Sequence, residues 1–206
     1  RTLDDIADQD LALDNKKKIF REYKKDFENK NIKNTTIKNI YNLIDNFKIS
    51  HNIILDLFDG VESDLKENIK FNSNKELLIY SYRVAGTVGL MMAKILKVQS
   101  HNSLKAAIDL GIAMQLTNIA RDVIEDSNRK RNYINPDFET IKETLEFADK
   151  FYESSFKSIN EIPFSCRFAI LVARRLYRQI GNKILDKKNM DNYKNSGKIY
   201  VSKIGK

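Results

Sequence analysis

At 206 residues the chain is long enough to bury a substantial core, and we expect a single domain over residues 1–206. Its hydrophobic fraction of 42% and its charged fraction of 31% are ordinary for a soluble globular protein. The net charge of +8 would suit an anionic partner, but the basic residues run along the whole chain and form no block, so we expect no nucleic-acid surface.

The single cysteine and the apolar segments indicate the compartment. Cys166 has no partner for an internal disulfide, which favours a reducing, cytoplasmic location. No apolar run reaches the roughly 18 residues that span a bilayer, and no signal peptide is visible. The chain begins at Arg1, already inside an acidic motif, so we expect the natural N-terminus to lie upstream.

Apolar residues recur at helical spacing through the first half of the chain. A capping box at Ser73 and Glu76 begins a helix that runs to about Val98. Because this helix is apolar on nearly every side, we expect it to be central. The predicted helices before it cover Leu13–Phe27, Ile37–Phe47 and Ile53–Ile69.

The second half of the chain continues the same pattern. A basic polar segment, SNRKRNYIN, separates two long helical stretches. No alternating strand pattern, internal repeat or low-complexity linker interrupts the series, so the predicted fold class is all-α. The predicted helices are Ser103–Ser127, Pro136–Ile159 and Pro163–Leu185, followed by a helical fragment in the terminal YVSKIGK.

A polar stripe marks the helix that begins at Ser103. Gln115, Asn118, Asp122 and Asp126 are spaced three, four and four residues apart, on one face of an otherwise apolar helix. At about 1.5 Å per residue, the last three spread over roughly 12 Å, the reach of a polyphosphate with its magnesium ions. Oxygen ligands without His or Cys suit magnesium rather than zinc. A solvated face is the alternative, although Lys and Glu would serve it better.

A second acidic pair lies near the start of the chain. Asp4 and Asp8 are one helical turn apart, and Arg1 lies on the same face. Acidic residues near a helix end are favourable for dipole reasons alone, so this pair is the weaker signal. Together the two acidic walls predict a pocket that holds a diphosphate through metal ions, with the Arg1 guanidinium on its oxygens.

The segment YSYRVAGTVG, Tyr80–Gly89, combines aromatic residues with glycines. Gly86 and Gly89 each cost about 1 kcal/mol in a helix relative to alanine, which a close helix crossing or space for a long apolar ligand would offset. Tyr80 and Tyr82 place aromatic faces near that space, where they would stabilise a carbocation. Ordinary core packing is the alternative.

Other residues leave two interpretations open. Arg121 and the basic run 129–131 either close over phosphates or remain solvated, and Tyr177 belongs either to the core or to the pocket. No Gly-rich phosphate loop occurs, which argues against a P-loop nucleotide enzyme.

Five segments resemble, in the same order, those of the squalene/phytoene synthase family, most closely its bacterial phytoene synthases. The two longest are YSYRVAGTVGLMMAKIL and DLGIAMQLTNIARDVIEDSNRKRNY. RTLDDIAD is similar to the family's first aspartate-rich motif, and LFDGVESDL and YVSK also fit. The resemblance implies an all-α isoprenoid synthase fold with helices around a central apolar cavity.

The resemblance also implies a prenyltransferase that joins two prenyl diphosphates head to head. In the phytoene branch of carotenoid biosynthesis, two geranylgeranyl diphosphates give phytoene through prephytoene diphosphate. Mg²⁺, or Mn²⁺ in its place, would assist the release of diphosphate. NADPH is not expected. Because the substrate tails and the product partition into lipid, peripheral contact with the inner membrane face is a further expectation.

Site residues follow from the resemblance motif by motif. Tyr80 would lie at the reacting centre, where we predict that it donates or accepts a proton, and Asp4, Asp8, Asp122 and Asp126 complete the catalytic set. The metal ligands would be Asp4, Asp8, Asn118, Asp122 and Asp126. The substrate contacts would be Arg1, Tyr82, Gln115, Arg121 and Tyr177.

Three departures from the family pattern stand out. A helix that usually precedes the first motif is absent, and Lys198 stands where an arginine often occurs. The segment Lys130–Asn135 replaces the usual Gly-Arg-x-Tyr-Leu-Pro.

Two alternatives to phytoene synthesis stay open. One is condensation of farnesyl diphosphate to squalene, dehydrosqualene or presqualene diphosphate. The other is a non-catalytic assembly factor, which the filled metal-ligand positions disfavour.

Overall fold

The structure, a computed structural model, describes residues 2, 5, 6 and 11–201, and these residues are mainly helical. The all-α prediction is confirmed, whereas the single domain stays a prediction. No helix in these residues is both long and apolar enough to cross a membrane. The α-helices are α1 Leu13–Glu28, α2 Thr35–Phe47, α3 His51–Ser63, α4 Asn74–Ser81, α5 Thr87–Ile95, α6 His101–Asn128, α7 Phe138–Phe156, α8 Phe164–Leu185 and α9 Met190–Asn195.

The predicted helix Ile53–Ile69 is too long. α3 ends at Ser63, and Ile69–Lys70 instead forms a short strand, β1, that pairs in parallel with β2, Arg131–Asn132. Two residues are too few to show an alternating pattern, so the sequence carried no strand signal. The pairing brings the end of α3 next to the segment that follows α6.

The predicted helix from Ser73 to about Val98 is divided. Its start is confirmed, because the Ser73 hydroxyl accepts a hydrogen bond from the Glu76 amide (3.3 Å). A π-helical turn at Tyr82–Gly86 then separates α4 from α5. Such turns widen a helix by one residue and recur at functional sites.

The last predicted helical fragment is wrong where the structure describes it. Tyr200 and Val201 are not helical. Gly197, with φ of +63°, turns the chain after α9, and Ile199 is then buried against the core. The short helix α9 was not predicted, although Asn189 is a typical N-cap residue. Its side chain accepts a hydrogen bond from the Asn192 amide (2.9 Å).

The central helix is α6 rather than the predicted α4–α5 segment. Ten of its 28 residues are buried, among them Leu116 and Ala120 with no exposed surface. α5 is apolar for another reason, since Val88 and Met92 remain 42% and 51% exposed and line a cavity between α5, α6 and α8. Most of the buried residues of α6 belong to one hydrophobic cluster, and a second cluster is centred on Phe20, Phe27 and Phe58 of α1 and α3.

Glycines allow α6 to approach its neighbours closely. A Cβ at Gly89 would overlap the carbonyl oxygen of Ala107, and one at Gly111 would overlap that of Ala85. The close helix crossing that offsets the cost of Gly89 is therefore present, and Gly89 also lines the cavity.

We expect Gly89→Ala to lower the stability of the fold by about 2 kcal/mol or more, because the methyl group meets backbone that cannot move independently. Gly181→Ala is the matched control. Its Cβ meets only the flexible Leu145 side chain at 3.3 Å, so helix propensity should leave stability unchanged or raise it. Thermal unfolding of both variants checks the prediction, and equal changes in Tm would contradict it.

Candidate active site

A polar pocket of about 250 Å³ lies between the end of α3, α4, the second half of α6 and the segment after it. The predicted stripe on α6 and the predicted Tyr80 of α4 line it, together with two residues that no sequence pattern indicated, Asp64 and Tyr133. The polar residues that line it are Asp64, Tyr80, Gln115, Asn118, Arg121, Asp122, Asp126, Arg131 and Tyr133.

Asn118 gives the first indication that this pocket binds a cation. Its side-chain oxygen, Oδ1, is buried and has no hydrogen-bond partner in the structure. An unsatisfied buried acceptor costs about 1–3 kcal/mol, so native proteins rarely keep one without a reason. A cation bound at this oxygen would remove that cost.

Asp122 lies one turn further along α6 and is strongly held. The Arg121 guanidinium donates two hydrogen bonds to its carboxylate, at 2.9 and 2.6 Å. Lys198 lies 3.4 Å from the same carboxylate. The Arg121 side chain thus lines the pocket and forms an ion pair with its sequence neighbour, while its contact with substrate stays a prediction.

Asp126 completes the stripe and is electrostatically unfavourable when charged. Burial, followed by repulsion from Asp122, raises the pKa of Asp126 to about 6, and the nearby Arg131 only partly offsets this. A divalent cation bound beside Asp126 would favour its charged form, which the cations of the pocket do only in part.

The donor set fits magnesium as one wall of a site. Asn118, Asp122 and Asp126 offer only oxygen atoms, and Mg²⁺ characteristically takes one or two carboxylates plus phosphate and water. In the part of the chain that the structure describes, this pocket included, no group of three or more His, Cys, Asp or Glu side chains could hold a metal ion. The predicted opposite wall, Asp4 and Asp8 with Arg1, lies outside the described residues.

Tyr80 forms a hydrogen-bonded cluster with Asp64 and Tyr133. Its hydroxyl lies 2.9 Å from Asp64 Oδ2, while the Tyr133 hydroxyl donates to Oδ1 at 2.7 Å. The two rings are stacked, with centroids 4.8 Å apart, and Phe71 packs against both. Burial and then the Asp64 charge raise the pKa of Tyr80 well above its ordinary value, so the phenol stays protonated.

An apolar cavity of about 510 Å³ lies between α5, α6 and α8, beside the polar pocket. Gln115 and Asn118 line both spaces, so the two adjoin at that point of α6. Tyr177 of α8, for which core and pocket were both open, lines the apolar cavity. The site therefore consists of a charged pocket next to an apolar cavity.

Tyr82, a predicted substrate contact, and Arg129, whose role the sequence left open, lie apart from these spaces. Tyr82 lines neither the polar pocket nor the apolar cavity, and its hydroxyl donates to Asp56 (3.1 Å). A helix turns by about 200° over two residues, so Tyr80 and Tyr82 face opposite ways. Arg129 pairs with Glu125 at 3.0 Å, whereas Arg131 of the same basic run lines the pocket.

The fold and this site define an all-α protein with an acid-lined pocket beside an apolar cavity. The family model described as squalene/phytoene synthase matches residues 1–138, about two thirds of the chain. The chain belongs to the squalene/phytoene synthase family.

Individual relatives agree with this assignment. A phytoene synthase of Pseudescherichia vulneris is 34% identical over 157 residues, which cover 66% of this chain and 50% of that protein. Phytoene synthase 1 of Solanum lycopersicum, a chloroplastic protein, is 33% identical over 188 residues, 78% of this chain and 44% of that one. The chain thus spans about half the length of the curated relatives that it matches.

Solved structures share the fold. A crystal structure of a dehydrosqualene synthase in complex with ligand superposes with a TM-score of 0.71 at 26% identity, over 91% of this chain and 73% of that one. A squalene synthase from Alicyclobacillus acidocaldarius gives a TM-score of 0.70 over 93% of this chain and 79% of that one. At 15% identity, the second shows the fold alone. The chain has the all-α isoprenoid synthase fold.

Proposed function

We propose that the protein is a prenyltransferase that condenses two geranylgeranyl diphosphates head to head, giving phytoene through prephytoene diphosphate. The observation that carries the proposal is the junction at Gln115 and Asn118, where the charged pocket meets the apolar cavity. A molecule with an anionic diphosphate head and a long hydrocarbon tail matches both halves of this space.

The residues of the pocket suit the departure of a diphosphate. Asn118, Asp122 and Asp126 would hold Mg²⁺, or Mn²⁺ in its place, and the bound ion supplies the positive charge that stabilises the leaving group. Arg131 lines the same pocket, and its guanidinium would add a second positive charge beside the diphosphate. The aromatic pair of Tyr80 and Tyr133 lies at the same pocket, where an allylic cation would form.

The apolar cavity protects such a cation from water. Its walls along α5, α6 and α8 are mainly aliphatic, so little water and few nucleophilic side chains are in reach to quench a cation. Because tail and product are both apolar, we propose that release occurs at a membrane surface, by peripheral contact on the cytoplasmic side. No nucleotide cofactor such as NADPH is required by this scheme.

The length of the cavity along α6 favours the C20 substrate. Its lining residues on this helix run from Asn118 to Ser103, 15 residues or about 22 Å, which is roughly four turns. One isoprene unit is about as long as one turn, about 5 Å. Four units fill this distance, whereas the three units of a C15 tail leave the last turn empty.

Farnesyl diphosphate remains the second candidate substrate, with squalene, dehydrosqualene or presqualene diphosphate as product. The likeness to a solved dehydrosqualene synthase favours it. A non-catalytic assembly factor gives no reason for the unpartnered buried oxygen of Asn118 or the raised pKa of Asp126.

Incubation of the protein that carries this sequence with C15 or C20 prenyl diphosphate, with and without magnesium, tests the proposal. We expect magnesium-dependent release of diphosphate and a C40 hydrocarbon from the C20 substrate. A C30 product alone would establish the farnesyl alternative, and addition of NADPH would show whether the product is reduced. No diphosphate release from either substrate would contradict the enzyme assignment.

A further inference from the structure

We propose that Asp64 is a positioning residue of this site, whose carboxylate holds the hydroxyl protons of Tyr80 and Tyr133 and so turns the Tyr80 oxygen lone pairs toward the pocket. The inference rests on the proposed function and extends it to a residue that does not belong to the acidic walls. Asp64 follows directly on the last residue of α3, within the LFDGVESDL segment.

The cluster accounts for every hydroxyl proton in it. Tyr133 donates to Asp64 Oδ1 at 2.7 Å, the shortest of the three contacts. The Tyr80 hydroxyl has two acceptors in reach, Asp64 Oδ2 at 2.9 Å and the Tyr133 oxygen at 3.1 Å. Because a carboxylate only accepts and a phenol has one proton, both protons lie inside the cluster. The Tyr80 hydroxyl has none left for a ligand.

Burial makes this arrangement persistent. Tyr80 and Tyr133 are each only 6% exposed, so water has little access to the hydroxyls and cannot easily replace the carboxylate as acceptor. The stacked rings and Phe71 restrict the rotation of both phenols. Pairing of β1 with β2 brings Tyr133 to Asp64, since the Phe71 amide donates to the carbonyl oxygen of Asn132 (3.3 Å).

As a consequence, the Tyr80 oxygen faces the pocket as a hydrogen-bond acceptor. A phenol that donates to a carboxylate carries a more negative oxygen, and its free lone pairs point away from that carboxylate. Tyr80 therefore presents an acceptor, which stabilises positive charge, and does not act as a proton donor. Of the two roles predicted for Tyr80, donation is the one that this geometry disfavours.

Charged groups on the other side of the pocket do not duplicate this role. Asp122 is held by Arg121, and Asp126 lies near Arg131, all on α6 or the segment after it. Asp64 is the carboxylate that the tyrosine pair contacts, so its removal changes the orientation of those hydroxyls without removing a predicted metal ligand.

A double-mutant cycle between Asp64 and Tyr80 tests the proposal in the protein that carries this sequence. An amide at position 64 keeps one acceptor oxygen and replaces the other with a donor, so one hydroxyl loses its carboxylate acceptor and the negative charge beside Tyr80 is removed. We expect Asp64→Asn to lower kcat with geranylgeranyl diphosphate by about 100-fold and to leave KM within about twofold. In a Tyr80→Phe background the same change should have little further effect on kcat.

Two further variants separate positioning from a general loss of structure. Tyr133→Phe removes one donor and should lower kcat by about tenfold. Asp59→Asn, on α3 five residues before Asp64, removes a carboxylate that pairs with Lys24 and Arg83, and it should leave kcat unchanged. A purely structural role predicts a fall in Tm with additive effects of Asp64→Asn and Tyr80→Phe, and that result overturns the proposal.

The outcome also distinguishes this inference from the function on which it rests. A wild-type protein that releases no diphosphate from either prenyl substrate removes the proposed function, and the role of Asp64 with it. An active wild type in which Asp64→Asn keeps full turnover, or acts additively with Tyr80→Phe, removes only the role of Asp64.

Discussion

Asp126→Asn should abolish magnesium-dependent diphosphate release and at the same time make the folded protein more stable at about pH 7.5. The loss of release, by about 1000-fold or more, follows from removing one of the two carboxylates that the stripe offers to metal. The gain in stability follows from the pKa of Asp126, which burial and then Asp122 raise to about 6.

The sign of the stability change depends on pH. A carboxyl whose folded pKa lies above its unfolded value favours folding at low pH, and this contribution is lost as the pH rises through about 6. Above that pH the folded state carries an unfavourable charge, which asparagine removes. Since Asp126 is partly exposed, we discount the effect to about 1–2 kcal/mol, a rise in Tm of roughly 2–8 °C.

Thermal unfolding without metal at about pH 7.5 and about pH 4 measures this difference. The advantage of Asp126→Asn should disappear at the lower pH, where the wild-type carboxyl is protonated in the folded state. Glu125→Gln, an exposed neighbour on the same helix, is the control and should retain diphosphate release. Full activity of Asp126→Asn, or a lower Tm at neutral pH, would contradict the assignment of this wall.

Ala106→Phe should separate the two prenyl substrates. Ala106 is 8% exposed and lies at the far end of the apolar cavity, near Ser103 and about three turns from Asn118. A phenylalanine ring there fills the last turn of the chamber. We expect kcat/KM for the C20 diphosphate to fall by about 100-fold or more, while that for the C15 diphosphate changes by less than about threefold.

Steady-state kinetics with both substrates, together with Tm values, checks this prediction. Overpacking costs about 1–3 kcal/mol, so the variant is expected to remain folded. Ala106→Ser adds little volume and should keep the wild-type preference. Equal losses for both substrates would show that the far end of the cavity does not measure tail length.

The sequence predicted the α6 wall because its residues share one regular helix. Gln115, Asn118, Asp122 and Asp126 recur at helical spacing, so their common face follows from the period alone. The long apolar helix that carries them could be predicted for the same reason. The fold class and the family resemblance rest on these local patterns.

The tyrosine cluster could not be predicted in this way. Asp64, Tyr80 and Tyr133 lie on three segments, which meet only because α3 ends early and two very short strands pair. Neither event has a periodic signal. Tyr82 was placed near the cavity by its closeness in sequence to Tyr80, although two residues along a helix face opposite sides. Its partner is Asp56 instead.

The most direct test of the central claim is a crystal structure of the protein with Mn²⁺ and a thiolo-diphosphate analogue of geranylgeranyl diphosphate that cannot ionise. We predict an anomalous manganese signal at Asn118, Asp122 and Asp126, bridged to the diphosphate, with the tail running along α6 toward Ser103. Metal and diphosphate bound away from this stripe, or a tail outside the cavity between α5, α6 and α8, would contradict the account.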